Sequence, residues 1–350
     1  MSRGPDASPP APAALVEAAV GGDEAAFAQL VSPHRGELHV HAYRMLGSLH
    51  DADDALQDAL LRAWRGLRTF ETGRSLRPWL YRITTNVCLD MLGRRRARVL
   101  PFDHSLPSDP EADPGEPLPA STWIEPYPDS GAAVAGGYAA PEATYEQREA
   151  IELAFIAALQ LLPARQRAVL VMRDVLAFSA QEVAEAISST VPAVNSALQR
   201  ARTTMSARLP DRSQQATLRD LGDAAVRALV GRFVDAFEAG DVPGILALLA
   251  EDVAFAMPPY PAWCRTRADV SRSWLMPGGP GPRLRYSATS ANGQPAVGTY
   301  LQQPGTGWYV PLALDVLTLR EGGGGAIVAA VTAFRSPELF RRFDLPDTLG

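Results

Sequence analysis

The sequence predicts a multi-domain chain: two all-α domains, the second with a helix-turn-helix, followed by an α+β domain. Three observations carry this. Apolar residues recur at helical spacing over 27–98 and again over 146–209, with few glycines and prolines. Between these stretches, residues 99–145 are crowded with proline, glycine and acids, a composition that argues against a packed core. From about residue 218, two helical stretches give way to strand-like runs separated by turn signals.

Composition narrows the class. At 350 residues, 47% hydrophobic and 21% charged, the chain has the makeup of a globular protein with two or three cores. Its longest apolar run, 326–334, is far shorter than the roughly 18 residues that span a bilayer, so no membrane segment is expected. The Pro- and Ala-rich start lacks the order of a secretory signal; residues 1–23 read as a disordered arm and the protein as cytoplasmic. Cys88 and Cys264 lie far apart and read as buried thiols, not as a disulfide or a metal site. No cofactor is expected. The net charge of -6 is unevenly spread: -3 over 1–26, +5 over 27–98, -8 over 99–145, +1 over 146–212 and -1 over 213–350. Every one of the 33 basic residues is arginine, and the first globular stretch is basic although the chain is acidic.

In order along the chain, "DADDALQDALLRAWRGL" (51–67) places Ala55, Leu56, Ala59, Leu60, Ala63, Trp64 and Leu67 on a core-facing stripe. Asp54, Gln57, Asp58 and Leu61 share the opposite face, where a leucine among carboxylates suits protein docking and a solvated acidic face is the plain alternative. Next, "RTFETGRSLRPWLYRITTNVCLDMLGRRRAR" (68–98) leads from a Gly-containing loop into a helix that ends in Arg94, Arg95, Arg96 and Arg98. Arginines interleaved with Trp79 and Tyr81 suit a single nucleic-acid strand. After the acidic segment, in which "TWIEPYP" is aromatic enough to dock, "SAQEVAEAIS" and "VPAVNSALQRAR" form a helix pair. On its second helix Val194, Leu198, Ala201 and Met205 make the packing stripe toward Val183 and Ile187. Asn195, Ser196, Gln199, Arg200 and Thr203 share another face, with side chains that match base edges in a major groove.

The C-terminal part reads as helices at 221–239 and 242–250, then strands at 283–291, 296–302, 311–320 and 326–335, with "NG", "PGTG" and "GGGG" between them. Met257, Tyr260, Trp263 and Tyr300 are candidates for lining a ligand pocket. General acid-base work needs a carboxylate or histidine in reach of substrate. No histidine follows His104, and Asp315, the acid within "PLALDVLTLR", can face core or solvent. No catalytic residue is assigned.

In this order and spacing, the first three stretches resemble the extracytoplasmic-function branch of the sigma-70 family of bacterial transcription initiation factors. "DADDALQDALLRAW" resembles the family's clamp-binding helix and "RPWLYRITTNVCLDMLGRRR" its minus-10 helix. "LPARQRAVLVMRDVLAFSAQEVAEAI" with "VPAVNSALQRAR" resembles its minus-35 domain. The resemblance implies sigma domain two over 24–98, a linker over 99–145 and sigma domain four over 146–212. It implies core RNA polymerase as a partner, through the β′ coiled coil and the β flap, and promoter DNA as another. Asp54, Gln57, Asp58 and Leu61 would then meet polymerase. Arg77, Arg82, Asn86, Asp90, Arg94 and Arg95, with the loop Glu71 to Leu76, would hold the melted minus-10 strand. Gln181, Asn195, Ser196, Gln199 and Arg200 would face the minus-35 duplex. The linker would run through a basic polymerase channel. Where relatives often carry glycine in the helix-turn-helix turn, this chain has Ser188, Ser189 and Thr190.

Residues 218–346 resemble a SnoaL-like domain of the nuclear-transport-factor-two superfamily, a cone of helices and curved sheet. The likeness rests on "FVDAFEAGDVPGILALLAEDVAFAMPP" (233–259), "ANGQPA" (291–296) and "FRRFDLP" (340–346). In sigma factors such domains commonly modulate activity, while some superfamily members are isomerases or cyclases. The expectation is a sigma factor modulated by this domain, with a small molecule as a candidate ligand. The alternatives are a stand-alone helix-turn-helix regulator and a sigma factor with a ligand-binding or isomerase-like appendage. The resemblance also explains how an acidic chain reads DNA: two weak readers joined on one polymerase act at high effective concentration.

Overall fold

The computed structural model describes residues 13–71, 74–94, 96–130, 149–273 and 283–350. They form two compact units, the first from 13–97 and 158–208, the second from 98–130, 149–157 and 209–350. Most of the expected N-terminal arm, residues 131–145 of the expected linker with 146–148 after it, Thr72 and Gly73 of the expected minus-10 loop, and Arg95 lie outside the described residues. Part of the arm is ordered: Ala13–Val20 form helix α1, with Val16 and Ala19 buried.

In the first unit α2 (Glu24–Val31) starts on Asp23, whose carboxylate accepts from the Ala25 and Ala26 amides. Helix α3 (Arg35–Leu46) ends at Gly47, which takes a left-handed φ of 68°. A Cβ there would also come within 3.0 Å of the Gln160 side chain, so glycine is required twice over. Helix α4 (Leu49–Gly66) is capped by Ser48 and buries Ala52, Ala55, Leu56, Ala59, Leu60 and Ala63. Helix α5 (Leu76–Leu92) turns Leu80, Tyr81, Thr84, Val87 and Cys88 inward, and burial pushes the Cys88 thiol up to about 12.

Helices α7 (Leu153–Gln160), α8 (Ala164–Leu170), α9 (Ala180–Ala186) and α10 (Val191–Ser206) follow the short α6 (Pro101–His104). Ser179 and Glu182 close a capping box on α9, and Thr190 caps α10, which has Pro192 in its first turn. The turn between them needs a left-handed residue, and Ser188 supplies it with φ 51° where a glycine would do so without strain. Val194, Leu198, Ala201 and Met205 are buried, as their spacing predicts.

Arg167 on α8 is almost fully buried. One terminal nitrogen donates to the Met45 carbonyl and to Gln160 Oε1, and the other donates to the carbonyls of Gln160 at 2.8 Å and Leu162 at 3.2 Å. Gln160 Nε2 in turn donates to the Arg44 carbonyl at 3.3 Å. Burial lowers the Arg167 pKa to about 10, which leaves it charged at neutral pH.

The second unit is built on a six-stranded sheet in the order β2-β1-β6-β5-β4-β3, with β1 (Leu249–Ala256) parallel to β6 (Gly325–Phe334) and the other neighbours antiparallel. The remaining strands are β2 (Trp263–Cys264), β3 (Leu284–Ala291), β4 (Gln294–Gln302) and β5 (Tyr309–Gly322). Helices α11 (Gln214–Leu221), α12 (Asp223–Ala239), α13 (Val242–Leu248) and α14 (Arg267–Ser273) accompany it. Leu229 and Phe233 of α12 and Ile245 and Leu248 of α13 pack with Val297, Leu317, Val328 and Val331 of the sheet. Residues 98–130, expected to lack a packed core, are instead part of this unit. Trp123, Ile124 and Tyr127 are buried, and the Trp123 indole donates to the Pro259 carbonyl at 3.1 Å.

Replacing Arg167 by leucine strands the carbonyls of Met45, Gln160 and Leu162 without donors. Urea unfolding of the full-length protein should show a loss of about 1–3 kcal/mol, as for buried acceptors left without donors. Arg200→Ala on the exposed side of α10 should cost less than about 0.5 kcal/mol. Equal midpoints for the two variants would contradict this role of Arg167.

Candidate functional site

Helix α4 presents Asp54, Gln57, Asp58 and Leu61 together in solvent, because its other face is committed to the core. Leu61 is 47% exposed, one of few large apolar side chains left in water among the described residues. Asp58 and Asp90 both pair with Arg62, at 3.1 and 2.9 Å. Both pairs lie in solvent and contribute little to stability.

On α5 the expected minus-10 residues divide. Arg82 and Arg94 are exposed. Arg77 is occupied: it donates to Glu37 at 2.9 Å and its guanidinium lies over the rings of Tyr81 and Phe178, at 4.9 and 5.1 Å. The hydrogen bond from His34 and the Arg77 charge hold the Glu37 carboxyl below its ordinary value, against the burial that would raise it. Asn86 donates to the Arg82 carbonyl at 2.9 Å and, across to α9, to the Ala186 carbonyl at 3.1 Å. Arg98, grouped from sequence with the basic run, is buried in the second unit, where it donates to the carbonyls of Ala120 and Trp123. A basic run read from spacing carries no information on which arginine the next segment will cover.

The contact between α5 and the helix-turn-helix region extends further. Tyr81 meets Phe178 edge-on at 5.2 Å, and Thr85 bridges His41 at 2.8 Å and the Met172 sulfur at 3.7 Å. Burial and the nearby Arg44 push His41 down to about 3, so its ring is neutral. Sequence reasoning found each face separately and missed that they meet. The one signal was an arginine, Arg167, inside an apolar stretch, "LPARQRAVL".

Helix α10 leaves Asn195, Ser196, Gln199 and Arg200 exposed on one side. A groove of about 570 Å³ runs past Asn195, Gln199, Arg202 and Thr203. Arg202, not singled out from sequence, is fixed at its edge by a two-pronged pair with Asp174 at 2.8 and 2.7 Å. Gln181 on α9 is exposed and donates to Glu185 at 2.7 Å.

In the second unit the four candidate pocket residues are dispersed. Met257 packs on the helix-covered core. Tyr260 lies under Arg335. Trp263 stacks edge-on with Phe102 and donates to the Ser105 carbonyl. Tyr300 packs on Phe340 and donates to the Pro346 carbonyl at 2.9 Å. A groove of about 540 Å³ lies elsewhere, between α12 and β3, walled by Val226, Val230, Val234, Tyr286, Ala288 and Pro295.

Asp315 faces inward. Its Oδ2 accepts from Thr299 at 2.8 Å and its Oδ1 is buried without a partner. Burial pushes this carboxyl up to about 7. Among the described residues no cluster of three His, Cys, Asp or Glu side chains suits a metal, and no helix is long and apolar enough to cross a membrane.

These features define a helical unit with a helix-turn-helix and an α+β unit. The sequence matches the profile of sigma-70 region 2 over residues 30–98, of sigma-70 region 4 over 152–205 and of a SnoaL-like domain over 230–334. It is 39% identical over 327 residues to the ECF RNA polymerase sigma factor SigG of Mycobacterium tuberculosis, covering 92% of this chain and 85% of that protein. It is 33% identical over 190 residues to SigM of the same organism, covering 54% of this chain and 80% of SigM. The crystal structure of the extracytoplasmic function sigma factor SigJ from M. tuberculosis shares the fold over 91% of this chain and 99% of that one, with a TM-score of 0.54 at 22% identity. The chain belongs to the extracytoplasmic-function sigma factors, and it acts as an RNA polymerase sigma factor.

The buried carboxyl has a pH signature. Because the folded pKa of Asp315 is raised, its contribution to stability is full below the ordinary carboxylate pKa and is lost as pH rises through about 7. Asp315→Asn removes that dependence. The stability of the variant relative to the parent should therefore rise between about pH 5 and about pH 8, by an amount on the order of a few kcal/mol. Parallel stability curves across that range would show that Asp315 ionises as freely in the fold as in water.

Proposed function

We propose that this sigma factor docks on core polymerase through Asp54, Gln57, Asp58 and Leu61 of α4. Arg82, Asn86 and Arg94 read the melted minus-10 strand, and Asn195, Ser196, Gln199 and Arg200 read the minus-35 duplex. We further propose that the free chain is held closed. The observation that carries this is the Asn86 amide, committed to the Ala186 carbonyl at the place where a base would have to bind. Arg77, stacked on Phe178, is committed in the same way. Polymerase binding then has to separate α5 from the helix-turn-helix region before α5 can take the minus-10 strand. In this reading the C-terminal domain modulates the activity of the sigma regions and performs no chemistry: Asp315, its best placed acid, is sealed in the core.

Asp58→Arg should reduce binding to core polymerase at least tenfold in a fluorescence titration, with stability altered by less than about 0.5 kcal/mol. Normal binding would mean that docking uses another face.

Asn86→Ala acts on two steps in opposite directions. It removes the closing contact, so core binding should tighten. It also removes a base contact worth about 1–3 kcal/mol, so transcripts per assembled complex should fall and base preference at the minus-10 element should shift. Unchanged core binding with unchanged transcripts would contradict both roles. Asp315→Asn should leave transcription at the parent level, and a specific loss with the fold intact would restore a chemical role for the domain.

A further inference from the structure

Trp308, in the loop between β4 and β5, is 54% exposed, one of two large apolar side chains of the second unit left in water among the described residues. Its loop is nonetheless held. The Thr306 hydroxyl donates to the Gln303 carbonyl at 3.2 Å and accepts from the Trp308 amide at 3.2 Å, while the Trp308 carbonyl accepts from the Gln303 amide at 2.8 Å. Gly305 and Gly307, with φ 79° and 78°, let the chain fold this tightly.

The sheet end beside this ring carries cations. The Gln302 amide donates to the Arg283 carbonyl at 3.0 Å and Gln302 lies opposite Tyr309, so Arg283, Gln302 and Tyr309 form one row across β3, β4 and β5. Arg285 is two residues further along β3 and shares their face. Its guanidinium lies over the Tyr309 ring, 5.5 Å from the centre. Both arginines are exposed, and among the described residues neither has a carboxylate partner. The chain's last residues close the far side of the row: Tyr309 and Leu349 exchange backbone hydrogen bonds at 2.8 and 3.0 Å. Asp347, the acid on that segment, is taken up by Arg341 at 2.9 and 3.1 Å.

Rings, free guanidiniums and a side-chain amide at one sheet end are the set that holds a single nucleic-acid strand, because unstacked bases stack on rings and phosphates meet cations. A duplex keeps its bases stacked on one another and offers Trp308 no face. The initiating enzyme exposes a melted DNA strand, so the strand at hand is DNA. We propose that this end of the C-terminal sheet binds single-stranded DNA, with a base stacked on Trp308 and phosphates at Arg283 and Arg285. Arg285, laid on Tyr309, meets its phosphate with little side-chain freedom left to lose. The contact adds affinity for melted promoter DNA that neither sigma region supplies.

The test is titration of the full-length protein with a fluorescent thymidine oligonucleotide of about twelve residues, read by anisotropy at low salt. Trp308→Ala should weaken binding at least about fivefold, and Trp308→Phe, which keeps a ring, should restore most of it. Arg283→Ala and Arg285→Ala should each lower the slope of log affinity against log salt by about 0.7, as losing one phosphate contact does on a single strand. Arg82→Ala and Arg94→Ala should leave the Trp308 effect in place, which separates this surface from the proposed minus-10 face. With a photoreactive iodouracil in place of one thymine, the oligonucleotide should cross-link to the peptide that contains Trp308. Equal affinity of Trp308→Ala and the parent, or a cross-link confined to α5, overturns the proposal. A duplex bound as tightly and with the same dependence on Trp308 overturns the choice of a single strand. Stronger competition by an oligoglutamate of equal charge overturns nucleic acid as the occupant.

Discussion

A guanidinium buried among helices must have its donors satisfied locally, since an unpaired charge in a protein interior costs several kcal/mol. Arg167 meets that demand at its two terminal nitrogens, with carbonyls from two places, Met45 at the end of α3 and Gln160 and Leu162 before α8, while its Nε is left without a partner. The sigma regions are therefore joined by a polar contact that neither can replace from within itself, and Gly47 is kept free of a side chain where Gln160 must pass. With that joint formed, α5 and the helix-turn-helix lie face to face, and the bonds from Asn86 to Ala186 and the Tyr81–Phe178 contact follow as local consequences.

The proposed closure also bears on how an acidic chain avoids loose binding to DNA. Several arginines are spent within the protein: Arg77 on Glu37 and Phe178, Arg98 on backbone carbonyls, Arg202 on Asp174. What is left suits a reader that gains its affinity from a partner.

Much of this was legible in the sequence, for identifiable reasons. The stripes on α4 and α10 have a period that only a helix places on one face, so both buried and exposed sides could be read residue by residue. The strands β3 to β6 were marked by their turns. Strand β1 was not, because "LALLAEDVAFA" continues the helical pattern of α13 into a run that pairs in parallel with β6, and such a run has no alternation to reveal it. The acidic segment misled in a different way. Its prolines and acids argued that it has no core of its own, which left open that Trp123, Ile124 and Tyr127 pack on a neighbouring sheet. Met257, Tyr260, Trp263 and Tyr300 do not meet in one pocket, because residue type alone does not say which way a side chain turns from its strand or loop.

The central claim is that the helix-turn-helix region occupies Asn86 of α5 in the free protein and that the two part in the initiating enzyme. A cysteine pair, Asn86→Cys with Ala186→Cys, tests it directly, because the Asn86 side chain reaches the Ala186 backbone carbonyl at 3.1 Å. Oxidised under mild conditions, the free protein should form the cross-link and fail to initiate from a promoter, and reductant should restore transcription to the level of the unoxidised variant. Full transcription by the cross-linked protein would contradict the claim.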